Sequence, residues 1–261
     1  MSKIKKILIP IDFTDTSDNA LKYLVGFLEN DTTTEVVVLH VSTNTLIEEK
    51  REAMEGAFHQ LAKRVLPSMS APYSFLQRSG ELVKVILEVQ AETGADLILV
   101  GTKGSAMDEE QATSNTANLV LEANVPVLVI PSEASFAMNN IALALDKHEI
   151  DDFFLLGPLH TIARKFDSAV HLLTIQTEKN ESTSHGKNIG LLEYYLETLD
   201  YHCAFPQNAD IEEGISNYVA EKNINMLVVL PRVHATIGIP SEGRLIKLLT
   251  LHTKIPLLTL D

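Results

Sequence analysis

The sequence predicts an α/β fold made twice over, with parallel strands covered by helices on both faces of each sheet. Three observations carry this. Short apolar runs such as Ile7-Leu8-Ile9-Pro10-Ile11 and Leu97-Ile98-Leu99-Val100 have the unbroken hydrophobicity of strands buried on both faces. Helix-period patterns stand between them, so each strand reaches the next by a right-handed crossover, which makes the sheet parallel. The order then restarts near Asn139. Ile141-Ala142-Leu143-Ala144-Leu145-Asp146 repeats the stretch from Ile7 to Asp12, and Lys254-Ile255-Pro256-Leu257-Leu258 repeats Asn124-Val125-Pro126-Val127-Leu128. A chain of 261 residues that is 45% hydrophobic has room for two cores. Domains are expected over 1–135 and 139–261, with Glu133 to Met138 as a short linker.

The first strand ends in Asp12, and Asp15-Thr16-Ser17-Asp18 supplies capping residues before the helical pattern Ala20, Leu21, Leu24, Val25, Leu28. Glu35 to Val41 reads as the second strand, and a charged amphipathic helix from about Leu46 to Leu66 is broken by the prolines at 67 and 72. Tyr73 to Gln77 follows as a strand, then Glu81 to Thr93 as a helix with Leu82, Val85, Ile86 and Val89 inward. The central strand from Ala95 to Val100 leads into Gly101-Thr102-Lys103-Gly104, where two glycines permit a tight turn or the close approach of a ligand. A helix is expected to start at Ser114 and end near Asn124. Its unpaired first N–H groups would aim back at the glycine turn as a cradle for phosphate oxygens. Val127 to Pro131 closes the first set. In the second copy, Ala169 to Ile175, Asp210 to Glu221 and Asn225 to Leu230 answer the second strand, third helix and central strand. Gly157-Pro158 is read as an interruption of a helical pattern from Asp151 to Phe166, and the polar stretch from Gln176 to Asn188 predicts a shorter second helix.

The net charge of −14 is spread over both halves, with 11 basic and 19 acidic residues through Met138 and 10 and 16 after it. Neither half offers the basic footprint of a nucleic-acid binder or a basic amphipathic helix for a membrane surface. No apolar stretch reaches the roughly eighteen residues of a membrane helix, and Met1-Ser2-Lys3-Ile4-Lys5-Lys6 runs directly into a strand, so a cytoplasmic protein is expected. The lone Cys203 excludes an internal disulfide and reads as a small buried residue. The histidines are scattered without zinc-ligand spacing and read as structural or surface groups. Walker and dinucleotide glycine loops are missing, as are a nucleophile elbow and a kinase signature.

Five stretches together resemble the universal stress protein family, and in particular its tandem two-domain members. They are Pro10-Ile11-Asp12-Phe13-Thr14, His40-Val41, Gly101-Thr102-Lys103-Gly104, Ser114-Asn115-Thr116 and Pro126-Val127-Leu128-Val129. The resemblance covers nearly the whole chain. It implies two tandem doubly wound domains of the adenine nucleotide α hydrolase-like, Rossmann-like kind, each a five-stranded parallel sheet with a nucleotide crevice at the strand C-termini. It further implies that Pro10 and Asp12 meet the adenosine end and that the Val41 backbone meets the adenine. Gly101 and Gly104 would give close backbone approach, and Ser114, Asn115 and Thr116 would contact phosphate. ATP, ADP or AMP, with or without Mg²⁺, is the implied ligand, and slow ATP turnover the most enzyme activity expected.

Several residues depart from that pattern. Thr113 stands where a glycine is usual, and Asp108-Glu109-Glu110 brings three carboxylates to the loop where phosphates would lie. Like charges about 4 Å apart repel by roughly 1–4 kcal/mol, so a ligand with fewer phosphates, or none, suits this loop better than ATP. In the second copy Leu230-Pro231-Arg232-Val233 replaces the glycine turn and Arg244 the serine, so no nucleotide is expected there. Asp12 can equally serve only as a cap, and Lys103 only as a solvated lysine. The competing reading is a dimerisation or interaction scaffold, such as a homodimer, with both pockets vestigial. The last strands of the two domains, apolar and aggregation-prone if bare, are expected to pair with each other.

Overall fold

The computed structural model describes residues 4–43, 47–103, 110–145, 153–177, 189–230 and 254–260. They fall into two compact units, one spanning Ile4–Phe136 and the other running from Ala137 onward and taking in the last strand. The first unit alternates β1 (Lys6–Ile11), α1 (Asp15–Phe27), β2 (Glu35–Ser42), α2 (Glu48–Val65), β3 (Tyr73–Ser79), α3 (Leu82–Thr93), β4 (Leu97–Thr102), α4 (Glu110–Glu122) and β5 (Val127–Pro131). Its strands are all parallel, in the order β3-β2-β1-β4-β5. The apolar runs are what make this sheet: Ile7, Leu8, Ile9, Val38, Leu39, Leu97, Ile98 and Leu99 are fully buried between the helix layers. Local signals set the helix ends. Thr14 caps α1, its hydroxyl accepting from the Ser17 amide, and Gly94 closes α3 at φ +66°, a conformation that favours glycine.

The second unit contains β6 (Asn140–Ala144), a 3₁₀ turn (Phe153–Leu156), α5 (Gly157–Phe166), β7 (Ala169–Leu173), α6 (Ile189–Leu196), β8 (Tyr201–Ala204), α7 (Ile211–Glu221), β9 (Met226–Val229) and β10 (Leu257–Thr259). Its parallel order, β8-β7-β6-β9-β10, repeats that of the first unit. One small device makes the repetition concrete. Asp96, just before β4, accepts hydrogen bonds from the Lys5 and Lys6 amides at 2.8 and 3.0 Å. Asn225, just before β9, accepts from the Asn139 and Asn140 amides at 2.8 and 2.9 Å. In both units one side chain therefore ties the start of the first strand to the start of the fourth.

The structure corrects several expectations. α4 is already helical at Glu110, because Glu110, Gln111 and Ala112 are strong helix formers and override the Ser-Asn-Thr cap signal that placed the start at Ser114. Gly157-Pro158 does not interrupt a helix but begins one. Proline at the first turn needs no N–H and has its φ already set, so α5 starts there. Leu82, expected inward, is 38% exposed, while Val83 is buried in its place. Cys203 is exposed on β8 rather than buried. β6 ends at Ala144, and Asp146 lies outside the described residues.

Candidate functional site

In the first unit the strand order reverses direction between β1 and β4, and the two strands are in register only at Ile7 with Leu97 and Leu8 with Ile98. Pro10, which has no N–H to donate, sits beyond the last of these pairs. A cavity of about 340 Å³ lies at these strand ends, which is where open α/β sheets bind ligands. It gathers Pro10 and Asp12 from the end of β1, Val41 from β2, Gly101 from β4, and Asn115 and Thr116 from α4. Six of the eight residues singled out in the sequence thus line one cavity. Gly104 and the side chain of Ser114 lie outside the described residues.

Two roles read from the sequence change in the structure. A helix leaves only its first four N–H groups without an internal partner. With α4 helical from Glu110, Ser114, Asn115 and Thr116 stand in its second turn, where their amides serve the helix. Those N–H groups therefore form no phosphate cradle, and the described α4 residues that line the cavity are Asn115, Thr116 and Leu119. Gly101 is also not a turn residue. It pairs with Ile130 inside the sheet, and a Cβ there would stand 2.9 Å from the Thr16 carbonyl oxygen. The close approach that this glycine permits is therefore that of α1 to β4.

Asp12 is exposed at the cavity wall. Its Oδ1 accepts from the Thr14 amide at 3.0 Å and the Thr14 hydroxyl at 2.6 Å. Partial burial raises the carboxyl pKa, but the hydrogen bonds, those from Thr14 foremost, outweigh it and hold the group below its ordinary value. Phe13 between them adopts φ +63°, unusual for a bulky residue, and its ring lies 5.1 Å from that of His40 and 6.5 Å from that of Phe75. His40 Nδ1 stands 3.0 Å from the Ile11 carbonyl. A carbonyl only accepts, so Nδ1 carries the proton, and the histidine fastens the ends of β1 and β2 rather than serving as a ligand group.

Sequence reading missed the hydroxyls Thr14, Thr16, Ser17 and Thr43 and the apolar floor of Val83, Ile86 and Leu119. Thr16 and Ser17 were visible only as capping residues, Thr14 only as the end of the Pro10 to Thr14 stretch, and of the floor only Ile86 was read as an inward helix residue. The polar wall is assembled by the β1–α1 turn folding over the strand ends, which no spacing in the chain reveals.

The family model for the universal stress protein family matches residues 3–131. Over those residues the chain belongs to the universal stress protein family. Universal stress protein MJ0577 of Methanocaldococcus jannaschii is 26% identical over 161 residues, covering 50% of this chain and 97% of that protein. Universal stress protein G of Shigella flexneri is 25% identical over 141 residues, covering 48% and 98%. The crystal structure of a universal stress protein from Archaeoglobus fulgidus aligns over 100% of this chain and 99% of its own, with a TM-score of 0.73 at 16% identity, a likeness of fold. The chain thus joins a universal stress protein domain to a second unit with the same strand order.

Within this universal stress protein domain, the described cavity wall carries one acid, Asp12, and one base, Lys103. Among the described residues no three His, Cys, Asp or Glu side chains converge to hold a metal ion. No helix among them is long and apolar enough to cross a membrane. The substituted glycine-turn positions of the second copy, Pro231, Arg232 and Val233, and Arg244 lie outside the described residues.

Proposed function

We propose that this stress protein works by binding a small adenine nucleoside or mononucleotide in its first unit. The observation that carries the reading is the single cavity that brings Pro10, Asp12, Val41, Gly101, Asn115 and Thr116 together at the β1–β4 switch point. Its volume of about 340 Å³ is at the low end of the roughly 300–1,000 Å³ of small-ligand sites. An apolar floor suits a purine ring, and hydroxyl and amide side chains suit a ribose. Balanced charge and the absence of free α4 amides at Ser114 to Thr116 favour few phosphates over three. Calorimetry with adenosine, AMP, ADP and ATP, each with and without Mg²⁺, tests this. Adenosine or AMP is expected to bind at least tenfold more tightly than ATP, and Thr116→Val to weaken that binding. Silence with all four ligands ends the claim.

Such silence would favour a second reading, an interaction scaffold with vestigial pockets, which the engagement of Asp12 Oδ1 by Thr14 supports. In either case we propose from the sequence that the apolar last strands of the two copies, Val127 to Ile130 and Leu257 to Leu260, pair with each other. A chain ended at Phe136 is then expected to self-associate in light scattering, and a monodisperse monomer would refute the pairing.

A further inference from the structure

Among the described residues, the two buried histidines, His160 and His171, both lie in the second unit, and each has one ring nitrogen, Nδ1 and Nε2 respectively, with no hydrogen-bond partner. His171 is 5% exposed in β7 and stands directly opposite His202 of β8, with ring centroids 3.9 Å apart. Its Nδ1 lies 2.8 Å from the Tyr218 hydroxyl of α7, so a single imidazole joins three elements. β8 has four residues and, among the described residues, pairs only with β7, as the outermost strand of this unit's sheet.

A proton on His171 would land in a site with no acceptor for Nε2–H and with a second imidazole tilted at 61° beside it. The groups around it do little to receive that charge. His202 on β8 and Lys222 at the end of α7 oppose it, Tyr218 is neutral, the β6 neighbour is Ala142, and only Asp200, ahead of β8, favours it. We propose that the His171–His202–Tyr218 cluster is an acid-sensitive latch, in which protonation of His171 expels His202 and frees β8 and α7 from β7 while the first unit stays folded.

Burial first, then His202 and Lys222, lowers the His171 pKa from 6.5 to about 4. The unfolded chain binds this proton below about pH 6.5 and the folded chain only near 4. The latch is therefore intact above pH 6.5 and weakens as the pH falls from there to 4. In the first unit the perturbed carboxylates Asp12 and Asp31 are held below the ordinary value of 3.8, so the stability they contribute is present above that value and is lost only at lower pH. The two units are thus set to respond to acid in different windows.

The test is an amide NMR titration of the full-length ¹⁵N-labelled protein from pH 7.5 to 3.5. Tyr201–Ala204 and Ile211–Glu221 are expected to lose their native shifts between pH 6.5 and 4 while Lys6–Ile11 keeps its own. His171→Gln, which can still bond Tyr218 but takes up no proton, is expected to hold the β8 and α7 signals at least about one pH unit lower. Exposed His202→Gln removes the opposing imidazole and covers the case in which the buried variant fails to fold, and it too should move the midpoint down. Native β8 signals in the wild type at pH 4, or an unmoved midpoint in the folded variants, would overturn the proposal. His160→Gln serves as the control, and a shift confined to that variant would likewise overturn it.

Discussion

Replacing Gly101 by alanine is expected to destabilise the first unit by about 1–3 kcal/mol, and replacing it by valine by more. A Cβ at Gly101 would stand 2.9 Å from the Thr16 carbonyl oxygen and 3.0 Å from its Cγ2. The nearer of these is backbone, which cannot rotate away as the end of a side chain can. Relief requires the start of α1 to move off β4, and that start carries Thr14 and Ser17, part of the cavity wall. Loss of stability and loss of ligand binding should therefore appear together. Gly56 supplies the contrast. It lies within α2 with nothing inside 4 Å of an added Cβ, so Gly56→Ala should stabilise by about 0.5–1 kcal/mol through helix propensity alone. Thermal unfolding of both variants decides the matter, at roughly 2–8 °C per kcal/mol for a unit of this size. Equal midpoints for Gly101→Ala and wild type would show that α1 and β4 have slack the geometry denies.

The same glycine shows how far the sequence could be read. An apolar run is a direct consequence of two-sided burial, so β1, β2, β4 and β5 were legible from Ile7, Val38, Leu99 and Val129 without knowledge of the fold. A glycine at the end of such a run has two explanations, a ligand or a neighbouring backbone, and only the position of Thr16 decides between them. The start of α4 failed for a related reason. Ser-Asn-Thr is a good cap signal, but Glu-Gln-Ala ahead of it is better helix, and the competition is settled over a whole turn rather than at one residue. β8 was invisible because Tyr201-His202-Cys203-Ala204 is an outermost strand with His202 and Cys203 exposed, so no hydrophobic alternation marks it. Phe13 was unremarkable in sequence, since nothing in the letters Asp-Phe-Thr announces a left-handed phenylalanine. The site residues shared by motif were legible, and the wall formed when α1 folds back over the strand ends was not.

Asp96→Ala is expected to destabilise the first unit by about 1.5–3 kcal/mol, the range for hydrogen bonds to a charged group. One carboxylate oxygen, Oδ2, accepts from two consecutive amides, Lys5 and Lys6, which begin β1 with no other acceptor from this side chain available once it is cut back. Lys6 is only part-exposed, so water replaces the carboxylate there incompletely. The second unit states what the minimum requirement is. Asn225 performs the same double acceptance with a neutral amide oxygen, so Asp96→Asn should retain most of the stability and fall within about 1 kcal/mol of wild type. Asn225→Ala should in turn destabilise the second unit and leave the first untouched, because the two clamps share no residue. Chemical denaturation followed separately in each unit, by amide signals of Lys6–Ile11 and Asn140–Ala144, checks all three. If Asp96→Asn proves as harmful as Asp96→Ala, the charge rather than the pair of accepted bonds holds β1 to β4, and the likeness between the two clamps is one of shape only.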